Sequence, residues 1–345
     1  MRKDKLNMKN CDGYYITGKA NIFYYSGFTS EDAALLITKD KSYIITDSRY
    51  IVQAKEQASD FEMYNIADGL GKLFESVRLG KIGYEENRIT VGAFERLKKA
   101  APKTEFFAAG EEISKPRRIK EPSETEKIRC AEALGDAAFE HALKILHEGM
   151  TENEAAFEIE MFMRKNGASG LSFETIAASG KRSAMPHGTA SEKVIECGDF
   201  LTLDFGCVLD GYCSDMTRTV VFGNADSRQR EMYDVVLAAQ RAGIAAAKNG
   251  ARCCDVDAAA RKVIADAGYG KYFSHSLGHS VGIEIHESPN FSPKSRDIAE
   301  AGNVITVEPG IYIEDFGGVR IEDIVVIGAD FVENITKSEK DLIII

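Results

Sequence analysis

Two acids stand where a charge is costly: Asp204 in FLTLDFG and Asp215 in YCSDMTRTVVF, both in or beside apolar strand sequence. A carboxylate in such a place needs a partner or a cation. Between them, Asp210-Gly211 is a strong signal for a type I′ hairpin turn. With those residues at the tip, paired positions sum to 421, so Gly206 faces Asp215 and Asp204 lies two residues further along the same face. The two carboxylates are then diagonal neighbours, with Cα atoms roughly 7–8 Å apart. Anions that close call for compensation, which either a metal ion or Arg218 could provide.

A second stretch repeats the pattern. ECGDFLTLDFG (196–206) aligns with EAGNVITVEPG (300–310) at an offset of 104, which matches Asp204 with Glu308, Thr202 with Thr306 and Gly206 with Gly310. Gly149/Gly250 and Gly167/Gly268 correspond at an offset of 101. Glu322 in GVRIEDIVVIG ends the second β-arm as Asp215 ends the first, although Pro309-Gly310 disturbs the pairing and leaves its register open. Duplicated halves that cannot each bury their apolar faces should pack about a pseudo-twofold axis with a cleft between them. Four acids would meet there.

Six histidines occur, and four of them (His187, His275, His279 and His286) fall in β-rich or Gly-rich sequence near the acids. Each alone reads as a hydrogen-bonded core residue rather than a ligand; beside four acids, the balance reverses. His141 and His147 belong to a long helix and read as solvated. A set rich in oxygen ligands with little imidazole suits Mn²⁺, Co²⁺, Fe²⁺ or Zn²⁺. Two such ions about 3.5–4 Å apart can share a water, lower its pKa and polarise a carbonyl. The expected chemistry is hydrolysis.

The elements that position these residues belong to the second part of a chain of 345 residues, which is long for one core. Residues 1–120 read as an α/β domain: AALLIT and SYIIT form a hairpin, SRYIVQAKEQ a helix, and FEMYNI, KIGYE and TEFFAA further strands between two helical patterns. Pro116 and Pro122 mark a linker. Residues 121–345 hold two pairs of helices, each followed by β-rich sequence. The fold class is therefore α/β (α+β), with an internal duplication in the second domain.

A net charge of −11 argues against nucleic acid or an anionic membrane surface as a partner. The basic start lacks the apolar run of a signal peptide, and no stretch reaches the roughly 18–20 apolar residues of a membrane span. Seven cysteines without a CxxC read as reduced thiols of a cytoplasmic protein; Cys207 and Cys213 flank the turn and could pair, while Cys253 and Cys254 open a helix.

Taken together, MPHG (185–188), LDFG with DGYCSDMTRT (203–219), HSLGHSVGIEIHE (275–287), TVEPGIY (306–312) and GGVRIED (317–323) resemble the pita-bread metallopeptidases, the family of methionine aminopeptidase, prolidase and aminopeptidase P. NIFYYSGF and IITDSRYIVQA resemble the N-terminal domain of its prolidase, aminopeptidase P and creatinase group. The resemblance implies two divalent ions per subunit, Mn²⁺ first among the candidates, on Asp204, Asp215, His279, Glu308 and Glu322, with Asp215 and Glu322 bridging. It implies Glu308 as proton acceptor for a bridging hydroxide, His187 and His286 as catalytic and substrate-binding residues, His275 shaping the pocket and Arg320 supporting the acids and the substrate.

The implied reaction is cleavage before proline in the second position of a peptide, by an Xaa-Pro aminopeptidase or, alternatively, an Xaa-Pro dipeptidase, in a homodimer. A dipeptidase needs a cation for the substrate's carboxylate; Arg296 is a candidate, or else a solvated loop arginine. An inactive peptide-binding relative of the same fold is the non-enzymatic alternative, and the complete ligand set speaks against it.

Overall fold

The computed structural model describes residues 2–30 and 32–345, so the basic start begins outside the described residues at Met1. Two units are distinguished, Met1–Arg117 and Arg118–Ile345.

In the first unit, β1 (Gly13–Ile16), α1 (Lys19–Ser26), β2 (Ala33–Thr38), β3 (Ser42–Thr46), α2 (Ile51–Gln57), β4 (Glu62–Asn65), α3 (Leu70–Val77), β5 (Lys81–Tyr84), α4 (Val91–Ala100), β6 (Glu105–Ala108) and α5 (Gly110–Ser114) follow in order. Its described strands form one mixed sheet in the order β4-β3-β2-β1-β5-β6. The β2–β3 hairpin and the alternation of the later strands with α3 and α4 are those expected from the apolar pattern. Glu85 is almost fully buried yet accepts the backbone N–H groups of Thr17 and Gly18 and the Asn21 amide at 2.5–2.6 Å, so its charge fastens the start of α1.

The second unit opens on α6 (Pro122–Ile145) and α7 (Glu152–Lys165). Both begin with capping boxes, Glu121 with Glu124 and Thr151 with Glu154, and α6 has proline in its first turn. There follow β7 (Gly170–Leu171), β8 (Ile176–Ser179), β9 (Phe200–Phe205), β10 (Cys207–Leu209), β11 (Tyr212–Cys213) and β12 (Met216–Val221). The second half repeats the plan with α8 (Ser227–Ala246), α9 (Cys253–Asp266), β13 (Gly278–Ser280), β14 (Glu287–Phe291), β15 (Val304–Val307), β16 (Gly310–Ile313), β17 (Gly317–Arg320), β18 (Asp323–Ile327) and β19 (Val332–Asn334). Each half has its own core. In the first, Phe139, Ile159 and Leu203 pack between helices and sheet; in the second, Val236, Ile264 and Ile305 do the same.

The first arm has the register expected from its turn. Val208 pairs with Cys213 and Leu209 with Tyr212, and the same sum continues where Phe205 pairs with Met216 and Asp204 with Thr217. Asp210 and Gly211 both have positive φ, 49° and 80°, as a type I′ turn requires. Gly206 opposes Asp215, and a Cβ there would run into the Ser214 carbonyl, so glycine permits the two backbones to close.

The second arm differs. Val307 pairs with Asp323 and Gly310 with Arg320, a constant sum of 630 that sets Glu308 opposite Glu322. Its turn is one residue longer, running from Ile313 to Gly317 through Asp315 at φ 61°. Asp204 and Asp215 are thus diagonal, whereas Glu308 and Glu322 stand directly across from each other.

All seven cysteines are unpaired. Cys207 lies against the Ala131 carbonyl and Cys213 against that of Ile283, so the pairing considered for these two is not made. Cys253 opens α9 as expected. No helix of the described residues is long and apolar enough to cross a membrane.

Candidate metal centre

The two arms deliver their acids to one cavity of about 540 Å³, lined by Asp204, Asp215, Glu308, Glu322 and the four histidines 187, 275, 279 and 286. That volume suits a small ligand. Every residue expected at the site reaches it. Arg296 is exposed and is not among the lining residues, so the solvated-loop reading of that side chain is the one the structure supports.

Asp215, His279 and Glu322 each offer one ligand atom within 4.8 Å of the others, a spacing that could hold a metal ion. His279 Nε2 is 3.4 Å from Asp215 Oδ2 and 3.4 Å from Glu308 Oε1. Its Nδ1 faces the Ser280 carbonyl at 3.2 Å, which fixes the proton on that nitrogen and leaves the Nε2 lone pair for a cation. Burial, reinforced by the neighbouring His286, pushes His279 down to about 4, so the ring is neutral as a ligand must be. A Cβ on Gly278 would strike the Thr306 carbonyl; glycine there lets the His279 strand close on the second arm.

The acids bear the mark of uncompensated charge. Burial, with the charges of Glu322, Asp204 and Glu308 added, raises Asp215 well above the usual carboxylate range. Glu322 is raised by burial and by Glu308 and Asp204, against the pull of Arg320. Glu308 is pushed up to about 8, again by burial first. Asp204 Oδ1 is buried without a hydrogen-bond partner. An orphaned carboxylate oxygen beside three acids that resist ionisation is the chemistry of a donor set made for cations, and these residues fit a pair of divalent ions.

Polar neighbours hold the set in place. Arg320 bonds Asp204 Oδ2 through Nη2, Thr217 Oγ1 through Nε at 3.0 Å, and Tyr312 Oη and the Pro186 carbonyl through Nη1. Expected both to support the acids and to bind substrate, Arg320 turns four of its five donors on the chain itself, which makes it a support. The Arg218 alternative is settled likewise: its partner is Asp323 at 2.8 Å, behind the arms.

Several contributors were not foreseen. Thr217 Oγ1 donates to Glu322 Oε2 at 2.7 Å, and Thr306 Oγ1 to Glu308 Oε1 at 3.1 Å. Glu132 on α6, fully buried, accepts the Asp215 backbone N–H at 3.2 Å. Tyr312 bonds both Arg320 and His275 Nε2, the latter at 2.9 Å. The register would have revealed Thr217, since it faces Asp204 across the first arm; nothing in the spacing marks Glu132.

The paired arms, the neutral histidine and the orphaned acid have the makeup of a metal-dependent hydrolase of the pita-bread class. Residues 126–329 match the model of metallopeptidase family M24, and residues 2–119 match that of the creatinase/prolidase N-terminal domain. The chain belongs to metallopeptidase family M24. A solved Xaa-Pro dipeptidase from Bacillus anthracis superimposes with a TM-score of 0.95 at 42% identity, over 99% of this chain and 98% of that one. An X-Pro aminopeptidase from Thermotoga maritima gives 0.94 at 37% identity, with both chains covered completely. The Xaa-Pro dipeptidase of Pyrococcus horikoshii is 38% identical over 98% of this chain and 96% of its own length.

Proposed function

We propose that this protein is a metal-dependent exopeptidase that hydrolyses the bond between an N-terminal residue and proline, acting as an Xaa-Pro dipeptidase. The observation that carries the metallopeptidase reading is the pair of acid arms, Asp204/Asp215 and Glu308/Glu322, converging with His279 on one cavity. Aminopeptidase was the first expectation from the motifs. Two of the three full-length relatives described above are named Xaa-Pro dipeptidases, which favours that activity for this chain.

Asp204, Asp215, His279, Glu308 and Glu322 would hold two divalent ions, with Mn²⁺ first among the candidates. When bound, such ions supply a water of lowered pKa and polarise the scissile carbonyl. The protein's own groups do the rest. Glu308 Oε1 is tied to Thr306, leaving Oε2 to accept the proton of the attacking water. His187 and His286, both exposed on the cavity wall, donate to the substrate carbonyl and to the tetrahedral oxyanion that follows. Arg320 orients Asp204 through its hydrogen bond to Oδ2, while His275, low at about 4 through burial and the nearby Arg320, stays neutral against Tyr312 and shapes the wall. The unpaired thiols support a reducing, cytoplasmic setting, and resemblance to the group supports a homodimer.

One observation favours aminopeptidase as the second reading. Among the described residues lining the cavity, Arg320 is the one Lys or Arg, and it is engaged with the chain. A proline carboxylate would then rest on histidine and Asn290 donors. Turnover of Ala-Pro against Ala-Pro-Ala and Ala-Pro-amide decides: the proposal predicts at least a tenfold advantage for the free dipeptide, and equal or better cleavage of the longer substrates establishes the aminopeptidase instead.

A further inference from the structure

Glu152, the first residue of α7, is fully buried and accepts five hydrogen bonds. Its Oε1 takes the Ser179 N–H at 2.7 Å and the Ser179 hydroxyl at 2.9 Å. Its Oε2 takes Arg182 Nε at 2.9 Å, the Ser191 N–H at 3.1 Å and the Ser191 hydroxyl at 2.6 Å. Ser179 and Ser191 are the two ends of the loop that places Pro186, His187 and Thr189 on the cavity wall. Arg182, held by the same carboxylate, donates onward to the Thr189 carbonyl at 2.7 Å. One buried charge at a helix N-terminus, where the dipole favours it, thus staples both feet of the loop and, through Arg182, its far side.

The other half carries a counterpart. Asp257 on α9, 1% exposed, accepts Arg261 through both oxygens and the Leu277 N–H at 3.1 Å. Arg261 donates to the carbonyls of Phe273 and His275 at 2.9 and 2.8 Å. In both halves a buried acid on the second helix, with an arginine, grips the backbone of a loop that supplies a cavity histidine. Glu152 and Asp257 are not repeat positions of each other, since α7 and α9 align at an offset of 101 and Glu152 then falls on Cys253. The two halves reach the same solution from different helix positions.

We propose that Glu152 is a positioning residue for the hydrolytic reaction, acting through His187. The proposal rests on the reading of His187 as a substrate-contacting residue. Its test is a double-mutant cycle of the Mn²⁺-loaded enzyme on Ala-Pro with Glu152→Gln, His187→Ala and both. Glu152→Gln turns amide N–H groups toward the Ser and Arg donors, and should lower kcat/KM by about 10–100-fold, as loss of an orienting partner does, with metal content unchanged. In the His187→Ala background the same change should cost no more than about threefold. Equal losses in both backgrounds, or wild-type kinetics for Glu152→Gln, would overturn the proposal. A wild-type-like His187→Ala overturns the reading of His187 and the proposal with it, whereas an impaired His187→Ala beside a wild-type-like Glu152→Gln sinks the proposal alone. If Glu152→Gln does not fold, Arg182→Met, at a half-exposed position, takes its place in the cycle with the same outcomes.

Discussion

Arg218 is the largest fully buried side chain in the described structure, and removing it should damage the metal centre from behind. Its guanidinium pairs with Asp323 at 2.8 Å and donates to the carbonyls of Thr217, Glu322, Ser338 and Glu339 at 2.5–2.9 Å. Two of those carbonyls belong to residues beside or in the acid arms, so the guanidinium joins β12 to the link between β17 and β18 that carries Glu322. Burial alone would raise Asp323, but Arg218 and Lys340 outweigh it and hold the carboxyl below its ordinary value. In Arg218→Met, Asp323 keeps Lys340, Gln240 and Asn334, yet the Glu322, Ser338 and Glu339 carbonyls lose their buried donor. Breaking a buried ion pair from one side costs roughly 3–5 kcal/mol. At about 2–4 °C per kcal/mol for a unit of 150–250 residues, thermal unfolding followed by circular dichroism should begin roughly 6–20 °C earlier. Metal affinity should fall about 10–100-fold, the usual consequence of losing an outer support. A midpoint within about 2 °C of wild type, together with unaltered metal affinity, would refute this account of how the arms are held.

His286→Ala should keep its full metal content and lose turnover, because the ring packs edge-to-face against His279, with centroids 4.3 Å apart, while remaining exposed to the cavity; a large fall in bound metal on elemental analysis would place His286 among the ligands instead. Alkylation of the native protein should label the exposed Cys130 and Cys197 first and Cys254 more slowly. Cys213, pushed up to about 12 by burial, and Cys253, pushed up to about 11, should react only after unfolding, and early mass-spectrometric labelling of either would contradict their buried setting.

The first arm was fully legible in the sequence because a two-residue turn leaves one register, and side-chain alternation then fixes which face each acid occupies. The second arm was not, since Pro309-Gly310 interrupts the ladder and a longer turn through Asp315 shifts the pairing by one. The repeat supplied the partners but not their geometry: direct opposition of Glu308 and Glu322 emerges only from the folded strands. Helix starts were readable from local chemistry, as the Thr151/Glu154 capping box shows. Glu132, Glu152 and Tyr312 were not, because each acts through contacts far along the chain that no local periodicity encodes. The order of the two peptidase activities likewise lay beyond the motifs, which describe the bond broken and not the length of the substrate.

The central claim is that the two acid arms hold divalent metal on which hydrolysis depends. Elemental analysis and Ala-Pro turnover, measured on the same samples after chelation and again after Mn²⁺ is restored, test it in wild type and Asp215→Asn. The account predicts that wild type binds two equivalents and regains its activity, while Asp215→Asn binds fewer and stays at least about a thousandfold slower. Exhaustively metal-free wild type that still turns over at full rate, or Asp215→Asn with two bound ions and normal turnover, would contradict it.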